Sequence, residues 1–594
     1  MPNPLLSDRT VDFLLYEVLD VTTLTRLPAF EAHSRDTFDP YLDACRKLAR
    51  EKLFPAYKAL DESPPRLESG RVRVHPLLRE LYPKMVELGL LTATRPEAVG
   101  GQQLPIVVAN LAASYLMAGN LSAYGYAGLT TSAARLIESF GSEALRDSFM
   151  TKMYGGEWTG TMALTEPQAG SSLSDVKTTA TPTEGGHHSI RGSKIFISGG
   201  DQDFTENIVN LTLARIQGAP PGVKGISLFA IPNRRFERGS LVPNDVEVAG
   251  VIHKIGWKGI PSIAQNYGER GDCHGYLVGQ PHRGLAYMFQ MMNEARLMVG
   301  MNGVATASVA YFESLEYAKT RPQGRPIANK NPEAPQVPII VHADVRRMLL
   351  RQKAIVEGGL SLVAWASREA DLAEHSPAES ERKEHALLLD LLTPVVKSFP
   401  AERGFESNAL AVQIHGGYGY SSEYLPEAFL RDQKLNSLHE GTTGIQSMDL
   451  LGRKVAQDGG RALELLSREV RFAVSRAREA GLPATLTEPV ETALRSVLDL
   501  TEHLLGLGSP DRTLLHSVDY LDLFGTFVVG FLWLRNATVA NEALRRGTSE
   551  TAFYEGKLAA AEYFIRTELR RVETLAALCR EGEDSYVRLD ENAF

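Results

Sequence analysis

Cysteine is scarce in this chain: three in 594 residues, Cys45, Cys273 and Cys579, with no CxxC and no Cys/His ligand spacing. An odd, sparse set argues against a disulfide scaffold and fits free thiols in a reducing compartment. Basic charge is not in excess either. The formal net charge is −9 and the pI about 5.9, which argues against nucleic acid or an anionic membrane surface as the main partner. The start, MPNPLLSDRT, lacks a basic stretch followed by an apolar one, so no secretory signal and a cytoplasmic location are expected. The longest apolar stretch near the end, Leu523 to Leu534, has 12 residues, short of the roughly 20 that span a bilayer. A buried core helix is expected there, with no integral membrane association. No GxGxxG follows a strand pattern and no Walker-type loop is present; GGYGY at Gly416 to Tyr420 has the wrong spacing and follows a helical pattern. A dinucleotide-binding or P-loop reading is therefore weak. No internal repeat and no low-complexity segment occurs.

What is present reads as an ordinary globular composition, 43% hydrophobic and 23% charged, on a chain long enough for three to four domains. Residues 1–160 read as helical: Phe38 to Leu53 and His75 to Leu91 carry apolar residues at three- and four-residue spacing. Residues 161–283 change texture. Ser189 to Ser198, Asn207 to Ile216 and Gly225 to Pro232 are short runs rich in Ile, Leu, Val and Phe, separated by Gly, Pro and Asn, as in an antiparallel sandwich or barrel. Helical periodicity returns over 284–455, interrupted by a loop from Arg321 to Pro338. Residues 456–594 predict four more helices, near Gly460–Ala480, Glu488–Leu505, Thr513–Arg546 and Glu550–Arg580. The expected fold is mainly α with a central antiparallel β domain and an extra C-terminal helical domain.

Three segments carry candidate chemistry. Met162 to Ala180 (MALTEPQAGSSLSDVKTTA) gathers Thr165, Gln168, Gly170, Ser171 and Ser172 in one polar loop. Such a loop offers N–H groups and hydroxyls to a phosphate or a heteroaromatic ring; it equally suits a turn with capping hydroxyls. Lys194 to Asp203 (KIFISGGDQD) is a strand ending in two glycines, and Phe196 within it could stack on a ring or fill a core. Ala411 to Lys454 holds two glycines after a helix, which permit close approach to a ligand. Further on it holds Glu440, followed by Gly441 and Thr442; a first-turn helix carboxylate is the plainer reading of Glu440.

Taken together and in order, ALTEPQAGS, KIFIS, the Arg283 to Arg296 run, QIHGGYGY and HEGTTGIQ resemble the acyl-CoA dehydrogenase family over residues 30–455. The remaining 30 N-terminal and about 130 C-terminal residues resemble the C-terminally extended members, which include 3-methylmercaptopropionyl-CoA dehydrogenases and bacterial broad-range fatty acyl-CoA dehydrogenases. The resemblance implies a helical N-domain, a β-barrel middle domain and a four-helix-bundle domain. It implies FAD-dependent α,β-dehydrogenation of an acyl-CoA thioester to a trans-2-enoyl-CoA. Glu440 would take the proton, flavin N5 the hydride, and an electron-transfer flavoprotein the electrons. It places Met162, Leu164 and Thr165 at the isoalloxazine, Ser171 near the pyrophosphate, and Phe196 and Ser198 where the family carries tryptophan and threonine. It places Thr442 on the flavin side of the base. Arg321, Gln413, Gly416 and Gly417 would reach the FAD of a neighbouring subunit. Asn293 and Arg296 would stand near the CoA end of the substrate, with Gly441 also on the substrate side. No metal is implied.

Three positions depart from the family pattern: Asn293 where aspartate is frequent, His439 where tyrosine often precedes the base, and Gly444 where many members carry a polar side chain. Two alternatives stay open on the same scaffold. One is an acyl-CoA oxidase that hands electrons to oxygen. The other is a non-catalytic, DNA-associated member, against which residues 461–594 weigh with 16 Lys and Arg against 21 Asp and Glu, a net of −5. The extra C-terminal helices would occupy the space that a second dimer uses in shorter relatives, so a homodimer is expected. Acyl-chain length depends on packing around Ser122 to Ser132, which pattern alone does not give.

Overall fold

The computed structural model describes residues 3–594, with the side chains of residues 289–293 outside the description. Helices α1 (Arg35–Leu48) and α2 (Leu78–Glu87) precede the long α3 (Ile106–Phe140). Phe38, Tyr41, Leu42, Cys45 and Leu48 form the buried stripe of α1, the face its spacing predicts. Its last turn passes into a wider coil over Ala49–Leu53. Helix α3 bends at Asn120, whose backbone is extended (φ −163°, ψ 94°). The Asn120 amide donates to the Leu53 carbonyl (3.3 Å) and its oxygen accepts the Ala123 N–H (3.1 Å). A side chain inserted into the helix ladder is an ordinary cause of such a kink.

The main sheet that follows has eight strands: β1 (Trp158–Ala163), β2 (Thr179–Pro182), β3 (His188–Ser198), β4 (Asn207–Ile216), β5 (Ile226–Pro232), β6 (Val246–Val251), β7 (Ser262–Tyr267) and β8 (His274–Leu277). Their order is β6-β7-β3-β8-β5-β4-β1, and β2 pairs with both β3 and β4. The ring β3-β8-β5-β4-β2 is thereby closed, a small barrel whose interior is filled by Ile190, Ile197, Ala214, Phe229, Ile231 and their neighbours. The purely antiparallel expectation needs one correction: β1 and β2 both run parallel to β4. The 43-residue excursion from β1 to β4 contains β2 and β3, and such a crossover, unlike a hairpin, returns the chain in the same direction.

After the barrel come α4 (Gly284–Thr320), α5 (Ala343–His375), α6 (Glu379–His415), α7 (Pro426–Lys434) and α8 (Thr443–Asp449). The C-terminal block adds α9 (Arg461–Glu479), α10 (Ala484–Leu505), α11 (Ser517–Arg546), α12 (Thr551–Arg566) and α13 (Arg571–Glu581). The expected single helix over Glu550–Arg580 is two, broken at Thr567 (φ −121°, ψ −67°). The turn directs Glu568 inward, where it accepts from the Arg351 guanidinium at 2.8 Å.

Two compact units result. The β unit comprises residues 36–104 and 115–295; the helical unit comprises residues 3–35, 105–114 and 296–594. Within the helical unit α5 and α6 pack along their length, and α11 lies among α9, α10, α12, α13 and the α5–α6 pair. The apolar run Leu523–Leu534 is the buried middle of α11. Trp533 Nε1 donates to the Ala354 carbonyl (3.0 Å) and Asn536 to Ser361 Oγ (2.8 Å), fixing α11 against α5. Helices α3 and α11 are long and apolar enough to cross a membrane, but both are mostly buried within the fold. All three cysteines are free and buried.

Candidate active site

The segment between α7 and α8 is short and strained in one place. After α7 a single tight turn, Leu435–Ser437, leads to Glu440, Gly441 and Thr442. Thr442 is the N-cap of α8, its hydroxyl accepting the Ile445 N–H at 3.3 Å. Glu440 and Gly441 both lie in the left-handed region, at φ +55° and +86°. For a side-chain-bearing residue this costs roughly 1–2 kcal/mol, and it persists only where the surroundings enforce it. Gln446, fully buried on α8, is what enforces it. Its Nε2 donates to the carbonyls of Glu440 (3.0 Å) and Gly441 (3.3 Å). A Cβ at position 441 would stand 2.6 Å from that same nitrogen, so position 441 requires glycine.

The Glu440 carboxyl is desolvated, and burial pushes it above the ordinary carboxylate range although Arg296 and Lys397 pull it down. The residue keeps intermediate surface exposure, so the group is enclosed yet reachable. Arg296, 4% exposed on α4, pairs with Asp449 at 2.8 Å. Lys397 on α6 is fully buried. Thr443 donates its hydroxyl to Glu402. His439 shares a hydrogen bond with the Leu435 carbonyl (2.7 Å). Burial pushes its imidazole down to about 4, which leaves it neutral near pH 7. A carboxyl raised by burial and opposed by nearby cations is a candidate general base.

The second group of candidate residues lies in the β unit. Leu164 and Thr165 follow β1, and their carbonyls accept from Lys194 Nζ (3.0 Å) and the Ile195 N–H (3.0 Å). Glu166, 3% exposed, anchors the turn. It pairs with Lys194 Nζ (2.9 Å) and accepts from the Thr178 hydroxyl (2.6 Å) and the N–H groups of Lys177 (2.7 Å) and Thr178 (3.0 Å). Burial alone would raise the Glu166 carboxyl, but Lys194 and these donors hold it well below the usual range. The loop carrying Thr165 and Ser171 thus hangs from a paired buried ion, with Ser171 exposed at its tip.

Phe196 is no core residue. Opposite Ile263–Gln265 of β7, strand β3 spans Ile197 to Lys194 with one residue too many. Phe196 takes up the excess at φ +61°. A bulge re-aims its side chain, and the ring is 60% exposed. Ser198, next in line, accepts through its carbonyl from the Thr161 hydroxyl at 2.6 Å. Met162 and Leu164 are half-buried.

A third group sits at the C-terminal end of α6. Arg321, Gly416 and Gly417 line one cavity of about 500 Å³ together with Tyr317, His415 and Tyr418. The Arg321 guanidinium is 5.4 Å from the Tyr418 ring centroid. Gly416 ends α6 at φ +60°, ψ −134°, a conformation open to glycine alone. Gln413 is exposed one turn earlier. The structure therefore brings Arg321 together with Gly416 and Gly417, and Glu440 together with Gly441, Thr442 and Arg296. Asn293 lies outside the described side chains. Glu166, Lys194, Lys397 and Gln446 were missed as site residues. Glu166 and Gln446 stand inside the quoted motifs and Lys194 opens one, but spacing says nothing of burial.

Four domain families match the chain: "Acyl-CoA dehydrogenase, N-terminal domain" over residues 39–157, "middle domain" over 161–264, "C-terminal domain" over 282–455, and "Acetyl-CoA dehydrogenase C-terminal like" over 466–590. The chain is 36% identical to 3-methylmercaptopropionyl-CoA dehydrogenase of Ruegeria pomeroyi, over 94% of this chain and 95% of that one. It is 33% identical to a broad-specificity linear acyl-CoA dehydrogenase of Mycobacterium tuberculosis, over 98% of each. The fold superposes on an acyl-CoA dehydrogenase of Bacillus anthracis solved with FAD at TM-score 0.74, with 21% identity, covering 97% of this chain and 91% of that one.

Proposed function

The chain belongs to the acyl-CoA dehydrogenase family, and on that footing we propose that it desaturates an acyl-CoA thioester between its α and β carbons, with Glu440 as the base. The observation that carries this reading is the Glu440 loop. Gln446 holds the strained backbone of Glu440 through its carbonyl, and the carboxyl that this backbone carries is desolvated and acted on by two cations.

The α C–H of a thioester is a weak acid, and a carboxylate at its solution basicity is a poor base for it. Desolvation makes Glu440 more basic, while Arg296 and Lys397 limit the rise by favouring its charged form. The proton leaves the α carbon for a Glu440 carboxylate oxygen. The thioester oxygen, on which charge develops, needs hydrogen-bond donors, and the Glu440 backbone N–H would supply one.

FAD is the family's cofactor, and the residues fit it. The bulged, exposed Phe196 ring offers a stacking face. The Met162–Leu164–Thr165 segment, fixed from behind by Lys194 and Glu166, presents its polar edge, with Ser171 and Ser198 as hydroxyl donors. The cavity of Arg321, Gly416, Gly417 and two tyrosines suits an adenosine and its phosphates. Gln413 completes that set, which would serve the cofactor of a second copy in a homodimer. When bound, FAD supplies the acceptor for the β-hydrogen and its electron pair. An electron-transfer flavoprotein in the cytoplasm would then reoxidise the enzyme. The names of the Ruegeria and Mycobacterium relatives support a short or linear acyl group as substrate.

Anaerobic addition of acyl-CoA thioesters of graded length, 3-methylmercaptopropionyl-CoA among them, to purified holoprotein tests this reading. One length class is expected to bleach the visible flavin band within the enzyme's turnover time. A bound flavin bleached by none of them contradicts the assignment, and rapid oxygen consumption in air would move it to an oxidase.

A further inference from the structure

Lysine is among the residues least often enclosed without a partner, because a buried ammonium that lacks hydrogen bonds forfeits its hydration for nothing. Lys397 is such a residue. Its side chain is fully buried in the middle of α6 and, among the described residues, its Nζ has no hydrogen-bond partner. The charged and titratable groups that act on it come from its own helix and from three neighbouring segments. They are Glu402 on its own helix, Arg296 on α4, Lys434 on α7, and Glu440 with His439 from the loop before α8. The nearer carboxylate in sequence, Glu402, is taken by the Thr443 hydroxyl. Arg296 is taken by Asp449. His439 is neutral and engaged with the Leu435 carbonyl.

We propose that Lys397 is a positioning residue for Glu440: an enclosed ammonium left unpaired so that its field falls on the carboxylate and stabilises the charged, proton-accepting form. The role rests on Glu440 being the base. Were Lys397 hydrogen-bonded to Glu440, the carboxylate would be neutralised by a contact it must break to accept a proton. At a remove, the ammonium favours the charged form without occupying the oxygens. Burial pushes the lysine itself down to about 8, with Arg296 and Lys434 acting the same way and the two carboxylates opposing. It therefore stays charged through the neutral range and loses its effect in alkali. The structural cost, an uncompensated buried charge, is then part of the design.

The test separates the two steps of the reaction. A 3-thiahexanoyl-CoA has sulfur in place of the β carbon, so it can lose its α-proton but cannot be desaturated. Its α-hydrogen exchange in deuterated buffer, catalysed by the holoenzyme and followed by mass spectrometry from pH 5 to 9, reads the base alone. Exchange should rise with pH to a plateau. In Lys397→Met the midpoint should move to higher pH by roughly one unit, the size expected of a neighbouring charge. On the acid limb that is about a tenfold slower exchange. Lys397→Arg should restore the wild-type midpoint. Because the methionine removes an unpaired buried charge, Lys397→Met should melt at or above the wild-type temperature. A lower melting temperature with an unmoved midpoint would mean a merely structural lysine and overturn the proposal, as would a midpoint that arginine fails to restore. Exchange surviving in Glu440→Gln, or absent from wild type at every pH, would overturn the base assignment first and this role with it.

Discussion

Lys194 and Lys397 are both enclosed lysines, one in each unit, and they are built in opposite ways. Lys194 Nζ meets Leu164 O and Glu166, and Glu166 is in turn satisfied by Thr178 and Lys177. Lys397 meets no acceptor among the described residues. A third, Lys557 on α12, follows the first pattern, bonded to Glu357 (2.9 Å) and Thr10 (2.8 Å). A paired ion inside a protein specifies a backbone arrangement. Lys194 suspends the loop that carries Thr165, and Lys557 ties the N-terminal segment to the C-terminal block. An unpaired ion specifies nothing about shape and costs stability, so its presence beside Glu440 points to electrostatics of the reaction.

Substitution can sharpen that contrast. Lys194→Met leaves Glu166 buried without its cation, and breaking one partner of a buried pair costs about 3–5 kcal/mol. The first unfolding midpoint in a thermal or urea melt should drop accordingly, and FAD should be retained less well. An unchanged melt would show that the pair is not what fixes the loop, and the contrast with Lys397→Met would collapse. A smaller stability effect and a sharper kinetic one are expected in the helical unit. Gly441→Ala places a Cβ at φ +86° against Gln446 Nε2. Strain of roughly 1–2 kcal/mol and a shifted base should lower kcat by about 10²-fold, the scale of a 1 Å misplacement, with KM moving less. A Gly441→Ala enzyme with wild-type kcat would show that Gln446 does not set the position of Glu440.

Much of this was legible in the residues. The helical stripe of α1 and the strands Asn207–Ile216 and His188–Ser198 lie where pattern and turn chemistry put them. The misses share a physical cause, since each depends on a partner distant in sequence. Phe196 looked like a residue inside an alternating strand, and only its register against β7 ejects it as a bulge. The parallel pairing of β1 and β2 with β4 is set by a crossover, not by strand composition. The break at Thr567 has helix-compatible residues on both sides and is set by Arg351 on α5. The buried lysines carry a residue type that hydropathy reads as surface. Gln446 stands within HEGTTGIQ, but that it holds the Glu440 loop follows from two hydrogen bonds across a left-handed turn.

The most direct test of the account is Glu440→Gln, an isosteric change that removes the base and little else. The purified variant should retain FAD and wild-type melting, yet its flavin band should stay unbleached by the acyl-CoA that bleaches wild type. Turnover should fall about 10²–10⁴-fold, the usual contribution of a positioned base. A folded, flavin-loaded Glu440→Gln that bleaches at the wild-type rate would contradict the central claim.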